Sequence, residues 1–319
     1  MTLHSNVSPI RQATSLSSDS NLVIETHGLS KHFGQRKAVD ALTIRVPRGS
    51  ITGFIGPNGA GKTTTIRMLL GLLRPTSGSA TILGKEISHL RAYLPRVGAL
   101  IESPAFYPGL SGRKNLEVIT RLGGYPGSRI DQVLEIVGLD RRAKDPVRKY
   151  SLGMKQRLGL AMVLLPEPEF LILDEPTNGL DPFGIIEMRD LLRGMRDQGK
   201  TILVSSHLLG ELEQVCDWLV ILHEGKTLFN GSANALVERR SELVVEAADA
   251  AQRDLVVGIA RAAGYRVQLL NGSLRIACPA NWASELKLRA QDAGATDISI
   301  SRREASLEES FLAMLKGEH

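Results

Sequence analysis

Cysteine is scarce in this chain, and neither sign of charge dominates it. Cys216 and Cys278 are its two cysteines, far apart and without metal-ligand spacing. They point to neither a zinc site nor a disulfide framework, and a reducing compartment fits them. Lysine and arginine number 39 against 34 aspartates and glutamates, so the net charge is only +5. The charges are interspersed, which argues against a nucleic-acid-binding stripe. The densest basic run, RRAKDPVRK at 141–149, reads as a solvated loop rather than a binding patch. No apolar run approaches the ~20 residues that cross a bilayer. The first residues have no apolar core and do not read as a secretory signal.

The rest of the composition, 43% hydrophobic and 23% charged, is that of a globular protein with a real core. A length of 319 residues suits about two domains. Residues 1–21, rich in serine and poor in hydrophobics, are expected to form a disordered tail. NLVIETHGLS, AVDALTIRV and ITGFIG, within 21–56, read as strands. TTIRMLLGLL at 64–73 has helical composition, and 90–165 carries further helical stretches such as GRKNLEVITRLGG and IDQVLEIVGL. FLILDEP at 170–176 and TILVSSH at 201–207 are continuous apolar runs either side of a helical segment. That pattern indicates a parallel sheet covered on both faces, an α/β fold. From about 241 the order becomes β-α-β-β-α-β, followed by a last helix, SLEESFLAMLKG. This is the order of a small α+β ferredoxin-like domain at 241–319, reached through a connector at 228–240.

GPNGAGKT at 56–63 satisfies G-x-x-x-x-G-K-[ST] in full, with Gly56, Gly61, Lys62 and Thr63 at the fixed positions and Gly59 between them. A plain glycine-rich turn is the alternative, and the complete pattern between strand and helix outweighs it. The glycines let backbone N–H groups curl round a phosphate, and the following helix adds its N-terminal dipole. The candidate nucleotide contacts are Gly56, Asn58, Gly59, Ala60, Gly61, Lys62, Thr63 and Thr64. Lys62 is expected to reach the β- and γ-phosphates of ATP, and the Thr63 hydroxyl to hold Mg²⁺. Asp174, at the C-terminal end of the FLILD run, stands where open α/β sheets place their ligands and is expected to hold the same metal. Glu175 follows at once. It is either a surface carboxylate at a strand exit or, if the chain turns there, the base that polarises a water against the γ-phosphate. His207 ends the next strand and is expected to bond to that phosphate. In YSLGMKQR, Ser151 reads as the N-cap of a helix.

The order of these pieces resembles the ATP-binding subunit of an ABC transporter, over about 22–227. YSLGMKQR is similar to the family's signature region, with Ser151 and Gly153 at its serine and second glycine. NGLDP at 178–182 is similar to its D-loop and supplies Asp181. His207 matches the switch histidine, and Phe33, in KHFG, sits where the family stacks an aromatic ring on adenine. The resemblance implies a P-loop NTPase core with a mixed sheet, an antiparallel β subdomain and a helical signature subdomain. It also implies that Ser151 and Gly153 bind the γ-phosphate of ATP held by a partner chain, so that a second copy or a paralogue completes the two sites.

Two departures stand out. Leu152 replaces the first signature glycine and Met154 the glutamine, and Glu102 occupies the place of the Q-loop glutamine. Glu102 can ligate Mg²⁺ or orient water, or it can be an ordinary strand-end carboxylate. Both departures, with IESPAFYP, resemble subunits of the bacitracin and lantibiotic-immunity type, with daunorubicin-type drug exporters as close relatives. The implied role is an ATPase, cytoplasmic and peripheral on the membrane, that drives a separate permease met near 102–112. A soluble ABC ATPase acting on ribosomes or DNA is disfavoured by the single ATP domain, the lack of heptad coiled coils and the lack of a basic face. Glu175 and His207 argue against a regulator that binds ATP without hydrolysing it. The last domain could sense a ligand, contact the permease or brace a dimer, and bracing is the plainest of these.

Overall fold

The computed structural model describes residues 21–101, 104–207, 209–212, 214–238, 242–270, 272–279, 281–303, 309–311 and 314. The expected tail therefore lies outside the described residues, save Asn21, whose carbonyl accepts the Arg48 N–H. Strands β1 (Leu22–Phe33), β2 (Arg36–Leu42) and β3 (Arg45–Pro47) lead to β4 (Ile51–Ile55). After α1 (Lys62–Leu69) come β5 (Ser77–Ile82), β6 (Lys85–Glu86), α2 (Leu90–Tyr93) and β7 (Val97–Leu100). Helices α3 (Gly112–Gly123), α4 (Arg129–Ile136) and α5 (Leu152–Leu164) precede β8 (Phe170–Asp174). Then follow α6 (Pro182–Asp197), β9 (Thr201–Ser206), α7 (Leu209–Leu212), β10 (Trp218–His223), β11 (Lys226–Ser232) and α8 (Ala233–Glu238).

The central sheet has the order β11-β10-β4-β9-β8-β7 and is parallel except for β11. β8 (FLILD) and the first four residues of β9 (TILV) are largely apolar runs because both faces of the sheet are covered there. Alternate residues divide between two cores. Ile51, Leu171, Leu173, Ile202, Val204, Leu219 and Ile221 face the helices α3–α6. Phe54, Phe170, Ile172, Leu203, Val220 and Leu222 face α1 and an antiparallel sheet, order β2-β1-β5-β6 with β3 on β1. The mixed core sheet and the antiparallel layer are those the resemblance implies.

The run AVDALTIRV divides into β2 and β3 at Thr43–Ile44; just before the break, inside β2, the register against β1 shifts at Ala41, whose φ is +52° and whose N–H donates to Ser30 Oγ. Helix α1 ends at Leu69, short of 73, and Gly71 follows with φ +70°. Residues 228–238 are not a bare connector. β11 pairs with β10, and Leu236 of α8 is fully buried in the helix-side core.

Beyond α8 the order is β12 (Glu242–Ala247), α9 (Ala250–Ala262), β13 (Arg266–Leu270), β14 (Ser273–Ala277), α10 (Trp282–Asp292) and β15 (Ile298–Arg303). The strands form an antiparallel sheet of order β13-β14-β12-β15. Leu243, Val245, Leu274 and Ile276 pack with Val256, Trp282 and Leu286 of the two helices in a third core. The chain then returns: Phe311 and Met314 pack into the helix-side core of the central sheet.

Candidate functional site

Three neighbouring parallel strands end at the same edge, and each is followed by a residue of the site. Ile55 is level with Ser206, and Asp174 with Ser205. One residue further on stand Gly56, His207 and Glu175. This is the carboxyl edge where α/β sheets bind ligands.

The loop from Gly56 is closely packed. A Cβ on Gly56 would lie 2.4 Å from Leu222 O and 2.9 Å from the Ala60 Cβ. Gly61 has φ +102°, and a Cβ there would lie 2.6 Å from Ala38 O. Only glycine fits either place. Asn58 and Gly59 are exposed at the loop tip, Ala60 is buried, and Thr63 and Thr64 are half-buried in the first turn of α1. No side chain caps α1, whereas Ser111, Ser151 and Asp181 cap α3, α5 and α6. The first N–H groups of α1 and its positive dipole end therefore fit an anion.

Lys62 is buried, donates to Gly56 O at 2.7 Å and meets Glu175 Oε1 at 3.2 Å. The other Glu175 oxygen, Oε2, lies 2.6 Å from His207 Nδ1. Glu175 takes φ +52°, the left-handed region. That turn brings its carboxylate to Lys62 and His207, whereas a continuing strand would have sent it to the face opposite Asp174. Thr63 Oγ1 donates to Asp174 Oδ2 at 2.9 Å. A hydroxyl and a carboxylate side by side are hard oxygen ligands suited to Mg²⁺ that takes its other ligands from phosphate and water. Lys62, Thr63, Asp174, Glu175 and His207 are thus brought together.

Sequence reasoning missed Ser205. Its fully buried hydroxyl donates to Asp174 Oδ1 and accepts the Glu175 N–H at 2.9 Å. It orients the carboxylate and holds the turn that aims Glu175. The signal was the first serine of SSH, level with Asp174 on the neighbouring strand.

Ser151 and Gly153 are grouped elsewhere, with Gly179 and Leu180. Ser151 Oγ accepts the Met154 N–H at 3.2 Å, capping α5. Its neighbour Tyr150 is buried and donates to Arg142 O at 2.8 Å, and burial raises its phenol from the ordinary value. A Cβ on Gly153 would meet only Leu180 Cδ2, at an ordinary 3.7 Å. Packing within this chain therefore does not call for glycine there. Asp181 caps α6 through the Gly184 N–H at 2.7 Å. Phe33 is 51% exposed at the end of β1, with Lys31 Nζ 5.2 Å from its ring centre. Glu102 lies outside the described residues. Among the described residues no helix is long and apolar enough to cross a membrane.

Comparison with known proteins agrees with this geometry. The ABC transporter family model matches residues 39–178. The chain is 52% identical over 209 residues to the bacitracin transport ATP-binding protein BcrA of Bacillus licheniformis, spanning 65% of this chain and 68% of that one. It is 42% identical over 216 residues to the lantibiotic transport ATP-binding protein SrtF of Streptococcus pyogenes, 66% of this chain and 93% of that one. Its fold is similar to that of cbiO1 from Clostridium perfringens, part of the ABC transporter complex cbiONQ. The TM-score is 0.62 at 25% identity, over 76% of this chain and 98% of that one. The chain belongs to the ABC transporter family, as an ATP-binding subunit that hydrolyses ATP.

Proposed function

We propose that this subunit powers a separate membrane permease that exports a peptide antibiotic or drug. The chain works as one half of an ATP-bound dimer, cytoplasmic and held at the inner face of the membrane by that permease. The observation that carries the reading is Glu175, held between Lys62 and His207 beside the Thr63–Asp174 pair. ATP phosphates lie on the loop at Gly56, Asn58, Gly59, Ala60 and Gly61, with Thr64 in the first helical turn, and adenine lies on Phe33. Thr63 and Asp174, with Glu102, hold Mg²⁺, which neutralises phosphate charge when bound.

The residues of the chain then have separate tasks. Lys62 exchanges the Glu175 oxygen for a phosphate oxygen. Glu175 is thereby released to accept a hydrogen bond from the attacking water and draw its proton. His207 exchanges the Glu175 oxygen it meets here for the γ-phosphate, to which it donates a ring N–H. Ser151, the Gly153 N–H and the N-terminal dipole of α5 bind that phosphate from the partner chain, and Asp181 meets the partner at the same seam. Gly153 supports this reading, since a Cβ there would come no closer to its own chain than an ordinary 3.7 Å from Leu180 Cδ2, so packing within the chain does not require the glycine. The choice of cargo rests on two relatives named for bacitracin and lantibiotic transport.

The elements from Glu242 to Arg303 form a ferredoxin-like accessory domain that braces the dimer. The β-α-β-β-α-β order and the sheet order β13-β14-β12-β15 support that assignment.

The test is Glu175→Gln, compared with wild type by sizing chromatography with and without ATP and Mg²⁺, with hydrolysis recorded alongside. The variant is expected to hydrolyse nothing and to become a dimer only with ATP. Unchanged hydrolysis would remove Glu175 from its role, and a monomer with ATP bound would remove the shared site.

A further inference from the structure

One side chain locks the signature turn to the D-loop. Gly179, in the turn before α6, has φ +76°. A Cβ built on it would lie 3.0 Å from Leu152 Cδ2, so Leu152 rests directly against that turn. The next residues repeat the contact in the opposite sense: Leu180 Cδ2 would lie 3.7 Å from a Cβ on Gly153. Leu180 also covers Gly184, whose N–H is capped by Asp181. Residues 152–153 and 179–180 therefore interdigitate, each leucine lying over the other segment's glycine. Either side of this joint stand two capped helix ends, Ser151 on α5 and Asp181 on α6. Leu152 is still 45% exposed, so core burial does not explain its presence. It is also the position where this chain lacks the usual signature glycine. A glycine there would leave the Gly179 turn uncovered.

We infer that Leu152 is a positioning residue: it fixes the 179–181 turn to the Ser151 cap, so that both helix ends meet the partner's ATP as one unit. The inference rests on the shared-site reading above. Gly179 has no Cβ and sits in the left-handed region, so without a neighbour its turn has wide conformational freedom. Ordering it at every encounter with the partner would slow turnover. The phosphate loop of the same chain lies elsewhere, so its own hold on ATP is independent of Leu152.

The test compares full-length wild type, Leu152→Gly, Leu152→Met and Ser151→Arg. It measures kcat and KM for ATP, the affinity for a fluorescent ATP analogue and the melting temperature. Leu152→Gly is expected to lower kcat about tenfold or more, a misplacement of about 1 Å costing up to about a hundredfold. Analogue affinity and melting temperature are expected to stay at wild-type values. Leu152→Met, similar in volume, is expected to keep kcat within about twofold. Ser151→Arg is expected to abolish turnover. If Leu152→Gly turns over normally while Ser151→Arg does not, the lock is wrong and the shared site stands. If Ser151→Arg turns over normally, the shared site falls and the lock with it. If Leu152→Gly loses kcat together with analogue affinity or melting temperature, the side chain is only structural and the inference fails.

Discussion

Replacing Ser205 with alanine removes a single hydroxyl and leaves two groups without their partner. In the folded protein that hydroxyl donates to Asp174 Oδ1 in a buried bond and accepts the Glu175 N–H in a partly buried one. A hydrogen bond to a charged group is worth about 1.5–3 kcal/mol, and one between neutral groups about 1 kcal/mol. Glu175 also sits at φ +52°, a conformation that costs an L-residue about 1–2 kcal/mol and persists only where its surroundings enforce it. Ser205→Ala is therefore expected to cost about 3 kcal/mol, read as a lowered midpoint in equilibrium urea unfolding. The Glu175 turn is then free to relax, so kcat for ATP is expected to fall while affinity for nucleotide changes little. Affinity rests on the Gly56–Thr63 loop, which Ser205 does not touch through either bond. A stability loss below about 0.5 kcal/mol together with undiminished kcat would refute the reasoning, since neither bond could then be holding anything.

Three further outcomes are expected. Gly56→Ala should lose ATP binding, because its Cβ would lie 2.4 Å from Leu222 O, whereas Gly153→Ala should fold and bind ATP normally and lose only turnover; calorimetric binding and hydrolysis separate the two. The Tyr93 phenol is buried, donates to Leu69 O at 2.7 Å and is raised to about 12. The unfolded chain loses that proton first, near its ordinary value of about 10. The stabilising share is thus whole below pH 10 and lost as pH rises towards 12, by up to about 2–3 kcal/mol. Tyr93→Phe should flatten that part of the pH–stability curve, and an unchanged slope would count against the assignment. Cys216 and Cys278 are both buried with thiols pushed up by burial. Iodoacetamide at pH 8 should therefore label neither in the folded protein and both in urea, as intact-mass measurement would report.

Much of the fold was legible because the strands facing two cores are unbroken apolar runs, as in FLILD and TILV. The phosphate loop was legible because its glycines are needed for close approach and left-handed backbone. The bulge in β2 ahead of its break from β3 was not, since nothing in an alanine's chemistry announces φ +52°. Nor was the regular structure of 228–238, where Leu236 is held by a core built far away in sequence. At the site, the carboxylates and the histidine could be named from their places at strand ends. The bend that aims Glu175, and the hydroxyl of Ser205 that holds it, depend on the register of two strands separated by a whole helix.

The return of the chain to its first core has a practical consequence. Leu236, before the accessory sheet, and Phe311, after it, are buried in the same cluster. In topology the accessory unit is thus a guest inserted into the ATPase, with part of the host on both sides. Cutting the chain after α8 would remove the guest and also pull a phenylalanine from the host. Any loss of activity in such a truncation would then mix two causes. Excising 242–303 and rejoining the ends through a flexible linker would keep Phe311 available to the host, and would ask what the guest alone contributes.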